Sequence, residues 1–323
     1  MKVMITGAAG FIGPYLARHS SQMGSTVLGI DHRDPETPWV GAAAFELCDV
    51  RDEGRLSELV SKFQPDRVFH LAAQSYPTIS LIRPRETLDS NVGGTINLFE
   101  SLRALKIMPM VVVACSSAEY GPVASQDLPV RETHSLSPLH PYGVSKVAQD
   151  LLAAQYFLNY GIPTIRIRIF NTTGPGKRGD VCSDLARRAV EMELGIRPPV
   201  MLVGNTTNRR AIVDVRDFVR GIWLAADHCK AGEVYNLGAE KIYSVQEIID
   251  EIHSQLGIKF KIEREATLVR ACDELVIAGD ISKFRNCCSW EPKIDLATTI
   301  RDMLEWWRLQ LAKSVESQPS VKA

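Results

Sequence analysis

The chain has 323 residues, 45% of them hydrophobic and 23% charged, with 37 Lys and Arg against 38 Asp and Glu and a formal net charge of −1. That length is long for one core and suits two lobes, and the charge balance lacks the basic excess of a nucleic-acid surface. No apolar run approaches the roughly 20 residues that span a bilayer, and the N-terminal MKVMITGAAGFIG lacks the long apolar stretch and cleavage site of a signal peptide, so a soluble, cytoplasmic protein is expected.

In chain order, KVMIT (2–6) is a short strand-like run that ends in a glycine cluster, followed by helical spacing through Leu16 and Ala17. STVLGID (25–31), DRVFHLAA (66–73), MVVVACSS (110–117), PTIRIRIFN (163–171) and EVYNLG (233–238) are further strand candidates, with helix-like stretches at 52–63, 88–105 and 144–160 between them. Alternating strands and helices predict βαβ units, hence an α/β fold with a doubly wound parallel sheet. Residues 172–210 are rich in Gly, Pro, Asn and Arg around one helix at about 181–194, and 241–312 carry short mixed elements and a last helix with Trp306 and Trp307. Met303, Leu304 and Leu309 accompany the tryptophans at helical spacing, which points to core packing. The expected domains are therefore 1–171 with about 211–240, and a smaller interleaved lobe of 172–210 with 241–312, followed by a disordered tail at 313–323. The seven cysteines include no C-x-x-C pair, so buried reduced thiols are expected and no metal site.

GAAGFIG places Gly7, Gly10 and Gly13 after a strand and at the opening of a helix, with Phe11 and Ile12 in the turn. Such a turn lets backbone N–H groups approach a pyrophosphate at the positive end of the helix. Asp31 ends the second strand, 18 residues after Gly13, where a carboxylate can accept from ribose hydroxyls and repel a 2′-phosphate. NAD is favoured on that ground, while His32 and Arg33 leave NADP open. Asp49 and Val50 either meet the adenine edge or belong to a helix cap made by Asp49 or Asp52.

Tyr142 and Lys146 in YGVSK are four apart and share a helix face, and an ammonium nearby is expected to lower the tyrosine pKa. A hydroxyl from Ser116 in CSSAEYG could hold a reacting oxygen while Tyr142 exchanges a proton with it. With TGAAGFIG (6–13), HLAAQSY (70–76), NVGGTINLFE (91–100), SSAEYG (116–121), PYGVSK (141–146), RIFNTTGPG (168–176) and RRAIVDVRD (209–217), the chain resembles the extended short-chain dehydrogenase/reductases that act on nucleotide sugars. Within them it is most similar to GDP-4-keto-6-deoxy-D-mannose reductases and GDP-mannose 4,6-dehydratases. The resemblance implies a Rossmann domain, with Ser116, Tyr142 and Lys146 as the catalytic trio. It further implies that Gly7, Gly10, Phe11, Ile12, Gly13, Asp31, Arg33, Asp49, Val50, Leu71, Ala72, Ala73 and Asn91 line NAD or NADP. Gln74, Ser75, Ser117, Ala118, Glu119, Asn171, Arg210 and Arg270 would meet a nucleotide-diphosphate sugar, GDP-linked on this resemblance. The reductase-like pattern has His at Thr172, Asp at Ala211 and Pro at Ala271, so the sugar is the least determined feature.

Dehydratases resembling this chain carry a carboxylate two residues after the catalytic Ser or Thr, to serve the elimination; here that position is Ala118, preceded by Ser117. Glu119 is one place further along and, on strand alternation, points the other way unless a bulge turns it. The expected activity is reduction of a 4-keto-6-deoxy nucleotide sugar at C4, with 4-epimerisation, 4,6-dehydration and non-catalytic dinucleotide binding as the alternatives. Apolar residues on more than one face of 88–105 and 144–160, Leu98, Leu102, Leu105, Leu151, Leu152, Phe157 and Leu158, suggest a homodimer through those helices.

Overall fold

Seven parallel strands pair in the order Val234–Leu237, β6 (Thr164–Ile169), β5 (Met110–Ser116), β4 (Arg67–His70), β1 (Lys2–Thr6), β2 (Thr26–Asp31) and β3 (Ala44–Leu47). This is a computed structural model, and it describes residues 1–35, 39, 43–268 and 276–316. β1 pairs with β2 on one side and β4 on the other, so the strand order reverses at β1, and a crevice opens where the two connections diverge. The strands are β-branched runs buried on both faces, as a covered parallel sheet requires.

On one face, Met4, Ile30, Val68, Val111 and Val113 pack with Leu56 and Val60 of helix α2 (Glu53–Phe63), with Leu98, Phe99 and Leu102 of the Gly94–Leu105 helix, and with Ala153 and Tyr156 of the Pro141–Tyr160 helix. Phe99 and Tyr156 stack with ring centroids 4.7 Å apart. The single helix expected at 88–105 is instead a short helix Pro84–Leu88, a π-helical turn Asp89–Gly93 and the helix Gly94–Leu105. Val50 dictates the close approach there, since a Cβ on Gly94 would lie 2.5 Å from its Cγ2. β3, absent from the expected strands, is only four residues long and half exposed, so it carries little apolar signal.

The chain divides into two compact units. The first is Met1–Phe170 with Arg216–Glu240 and Ala278–Glu291; the second is Asn171–Val215 with Lys241–Ile277 and Pro292–Ala323. Compared with the expected boundaries, Asn171 and 211–215 go to the second unit and 278–291 to the first. In the second unit, Val213–Asp214 pairs with Thr172–Thr173, which ties 211–215 there. Its core joins Leu185, Ala189, Ile248, Ile252, Ile300, Met303 and Trp307 from three helices, as expected for Met303 and Trp307, whereas Leu309 is 62% exposed. The last helix runs Leu296–Glu316, so residues 313–316 of the expected tail are helical and 317–323 lie outside the described residues. No helix among the described residues is long and apolar enough to cross a membrane.

Candidate active site

The C-terminal ends of β1, β2 and β4 meet at the glycine loop. Gly7 has φ +71°, and a Cβ there would lie 2.7 Å from the Ala72 backbone nitrogen, so only glycine lets the loop rest on the end of β4. Gly13 packs still more closely on Ala8, where a Cβ would lie 2.2 Å from the carbonyl oxygen. Helix α1 (Gly13–Gln22) begins with no side-chain cap, with Pro14 in its first turn and no acid there. The positive end of the helix thus meets no acid or capping side chain, which suits an anion. The Asp31 carboxylate is buried and reaches back to this loop, one oxygen accepting from Ala9 N at 3.0 Å and the other 2.9 Å from His32 Nδ1. Phe11 and Ile12 are half-buried in the turn, and Arg33 is exposed.

Asp52, not Asp49, caps α2 by accepting from Arg55 N at 3.0 Å. The Asp49 carboxylate is gripped by Arg51, whose hydrogen bonds hold its pKa below the usual carboxylate range. Leu71 and Ala73 are half-buried and Ala72 is buried, with its N–H on Thr6 Oγ1 at 3.2 Å. Asn91, expected to line the dinucleotide, is fully buried. Its amide accepts from Gln74 N at 2.7 Å and donates to Gln74 O and Ser145 Oγ, so it braces the loop after β4. Gln74 turns its own amide to Tyr76 O and Thr87 Oγ1, and Ser75 is exposed.

β5 delivers Ser116, which is 8% exposed, to the Pro141–Tyr160 helix. The backbone leaves strand geometry after Ser116 and makes a 3₁₀ turn over Ser117–Glu119, where Ser117 and Ala118 are half-buried. Gly143 lets the helix approach this turn, because a Cβ there would be 2.7 Å from Ala118 O. The helix starts at His140, whose Nδ1 accepts from Gly143 N at 3.0 Å, and at Pro141. Tyr142 is half-buried, with Ser116 near enough to favour its ionised form, and Lys146, 3% exposed, donates from Nζ to Ala114 O at 2.8 Å. Lys146 Nζ lies 5.9 Å from the Tyr142 ring centre.

The expected lowering of the tyrosine pKa is not found: burial outweighs the opposing effect of Ser116 and pushes Tyr142 up to about 12. Burial also brings Lys146 down to about 8, against the pull of Cys115 and Glu119. Tyr142 therefore holds its proton near neutrality while Lys146 remains mostly cationic.

Glu119 does not line an open pocket. Its side chain is 0% exposed; Oε1 accepts from Ser116 N at 2.7 Å, while Oε2 lies 3.1 Å from Arg168 Nε. Residues 117–119 form a turn and not a strand, so the contacts of Glu119, not strand alternation, set its direction, and its expected contact with the sugar is not met. Cys115, Glu119 and Asp150 offer ligand atoms within 4.8 Å of one another, but Arg168 and Arg166 already supply the positive charge beside Asp150.

A second polar cluster, to which no role was assigned from sequence, lies under β1 and β4. His70 bridges Thr6 Oγ1 at 2.8 Å and Thr95 Oγ1 at 2.9 Å, and Gln149 Nε2 donates to Thr95 Oγ1 at 2.7 Å. Histidine at the end of an apolar strand, and Arg166 and Arg168 inside a buried one, were the available signals.

Asn171 and Arg210 belong to the second unit. Asn171 has φ +26°, and its Nδ2 is buried with no hydrogen-bond partner, as is Thr172 Oγ1. Arg210 is half-buried on the strand Arg209–Ala211 and donates to Arg209 O at 2.9 Å. Arg270 lies outside the described residues.

The model of the family described as GDP-mannose 4,6 dehydratase matches residues 4–303. A GDP-6-deoxy-D-mannose reductase of Pseudomonas aeruginosa is 27% identical over 307 residues, covering 95% of this chain and 97% of the relative. The solved structure of RMD from Pseudomonas aeruginosa complexed with NADPH has a TM-score of 0.83 at 26% identity, covering 96% of this chain and 99% of that one. UDP-glucose 4-epimerase from Brucella ovis in complex with NAD has a TM-score of 0.83 at 27% identity, covering 95% and 98%. The chain belongs to the GDP-mannose 4,6-dehydratase family, and is an NAD(P)-dependent enzyme among the nucleotide-sugar reductases and epimerases of the extended short-chain dehydrogenase/reductase type. The α1 terminus without an acid or side-chain cap, the Gly7 loop and Asp31 fit that dinucleotide.

Burial, and then Lys146, lower the His70 pKa from 6.5 to about 3. The folded state therefore keeps His70 neutral, and its contribution is whole above about 6.5 and lost as pH falls toward 3. Stability should fall by about 1.4 kcal/mol per pH unit in that window from this group alone. The His70→Gln variant should be less stable near neutrality but show a shallower decline; parallel unfolding curves for the two proteins would contradict this.

Proposed function

We propose that this member of the family is a 4-ketoreductase of 4-keto-6-deoxy nucleotide sugars, with GDP-4-keto-6-deoxy-D-mannose as the first substrate to try. The observation that carries the reading is the position of the acids. An elimination needs a base at C5 and an acid at the C6 oxygen. Ala118 stands where that carboxylate is expected, and Glu119 is sealed behind the strand on Ser116 N and Arg168. What is left beside Ser116 is a protonated phenol and an ammonium, which suit proton delivery to a carbonyl oxygen.

A reduced nicotinamide held at the Gly7 loop and Asp31 would supply the hydride for C4. Ser116 Oγ would hold the C4 oxygen, and Tyr142 would give that oxygen its proton as negative charge develops on it. A tyrosine pushed up to about 12 is a proton donor near neutrality. Lys146 would stabilise the tyrosinate left behind. In the second unit, Asn171 with its unpartnered Nδ2, and Arg210, are the candidates for the diphosphate, since amides and guanidinium forks both suit phosphate oxygens. A 4-epimerase is the second reading; Asp31 favours the NAD that the Brucella ovis epimerase holds.

Exposed apolar side chains on the helices of the first unit, Ile96 at 37%, Leu151 at 57% and Leu158 at 76%, support a homodimer through Gly94–Leu105 and Pro141–Tyr160.

Three outcomes are expected. Mixed with NADH or NADPH and GDP-4-keto-6-deoxymannose, the protein should oxidise the reduced nicotinamide in proportion to the keto sugar, and Tyr142→Phe should lower kcat about 10³-fold. A flat absorbance trace, with tightly held NAD and interconversion of an intact nucleotide sugar, would move the assignment to the epimerase. Asp31→Asn keeps an oxygen for Ala9 N and removes the charge opposite a 2′-phosphate. The ratio of kcat/KM for NADH over NADPH should fall about tenfold, equivalent to ~1.4 kcal/mol; an unchanged ratio would place Asp31 away from the ribose. In light scattering at micromolar concentration the protein should have a dimer's mass, and Leu151→Glu with Leu158→Glu a monomer's.

A further inference from the structure

Ser116 is held from two sides. Its Oγ accepts from Ala118 N at 3.2 Å, and its own N–H donates to Glu119 Oε1 at 2.7 Å, a reciprocal cap that closes the turn on itself. Glu119 has no contact with the solvent, so it cannot touch a sugar. Its second oxygen sits by Arg168 Nε, but that one N–H is also 2.9 Å from Asp150 Oδ2. Asp150 keeps its other oxygen on Arg166 Nη1 at 2.6 Å, and Arg168 spends Nη1 on Tyr120 Oη at 3.0 Å and Glu132 O at 3.1 Å. Glu119 Oε2 is thus a buried oxygen with no hydrogen bond of its own, beside a carboxylate that has two guanidinium partners.

We propose that Glu119 is a positioning residue that acts through Ser116: in its neutral form it donates from Oε2–H to Asp150, accepts from Ser116 N at Oε1, and so fixes the Ser116 hydroxyl against Tyr142. The groups facing Glu119 are Asp150 from the Pro141–Tyr160 helix, Arg168 from β6, Cys115 from β5, and Tyr142 and Lys146 through space. Burial and Asp150 raise Glu119 to about 8 against the pull of Arg168, so the neutral form prevails near neutrality. When Glu119 ionises, two carboxylates face each other across one N–H, the turn loosens, and the added negative charge makes Tyr142 a poorer proton donor. The inference rests on the reductase reading for its kinetic readout and not for its spectroscopic one.

The experiment compares the wild type with Glu119→Gln and Glu119→Leu in the full chain. Gln reproduces the neutral carboxyl, with an oxygen for Ser116 N and an N–H for Asp150, but cannot ionise. Glu119→Gln should keep kcat near neutrality, and Glu119→Leu should lower it about 100-fold with KM for the sugar unchanged, as expected when a reacting group is displaced. On the alkaline side the wild-type rate should fall with two protons lost, from Glu119 and Lys146, and the Gln variant with one. Difference infrared spectra of the protein without substrate should show a protonated-carboxyl band that disappears above about pH 8 and is missing in Glu119→Gln. Equal kcat in Glu119→Leu and wild type, an unaltered alkaline limb in Glu119→Gln, or no protonated-carboxyl band would each overturn the proposal. A wild type with the band but without turnover on any keto sugar would refute the reductase reading and leave the shared proton supported.

Discussion

Parallel strands stop at one edge of this sheet, and each stops with amide and carbonyl groups that the next strand no longer satisfies. Buried groups of that kind must find partners. Lys146 meets Ala114 O at the end of β5, Glu119 meets Ser116 N, Thr6 Oγ1 meets Ala72 N after β4, Asn91 meets Gln74 N, and Asp31 meets Ala9 N. The side chains that crowd the crevice are thus bound to the scaffold first. Their chemistry is set by how much bonding capacity is left after the backbone has been served.

That constraint separates groups that sequence motifs treat alike. Asn91 is consumed by Gln74 and Ser145, and Glu119 gives one oxygen to Ser116 N, so both become braces. Tyr142 lies beside Ser116 and stays half-buried, so it remains open to a partner from outside. Burial also moves the protons: phenol and glutamic acid upward, lysine and histidine downward. The result is a site stocked with neutral or proton-bearing groups near neutrality, which favours giving a proton over taking one.

The ion cluster below the site has a cost and a use. Arg168, Asp150 and Glu119 are buried and Arg166 is half-buried between β5, β6 and the Pro141–Tyr160 helix, where desolvation is expensive unless each charge is paired. Arg168 pairs with both acids, and its fork also holds Tyr120, which passes the restraint on to Asn236 Oδ1 at 2.6 Å. β5, β6, the Val234–Leu237 strand and the Pro141–Tyr160 helix are thereby fastened at the level of Ser116.

The sequence alone determined the alternation of strands and helices, the glycine loop, Asp31 at the end of β2, and the placing of Tyr142 and Lys146 on one helix face. These are local features, written in hydrophobic period, in glycine where backbones must approach, and in fixed helical spacing. It did not reveal β3, the π-turn that interrupts 88–105, or the assignment of 278–291 to the first unit, because short or half-exposed elements carry weak periodicity and their place depends on distant partners. Only the tertiary structure decided that Glu119 faces Arg168 and not the crevice, that Asn91 braces Gln74, and that burial, not Lys146, governs Tyr142. Those outcomes turn on desolvation and on which buried donor reaches which acceptor, quantities that exist only once residues far apart in the chain share one interior.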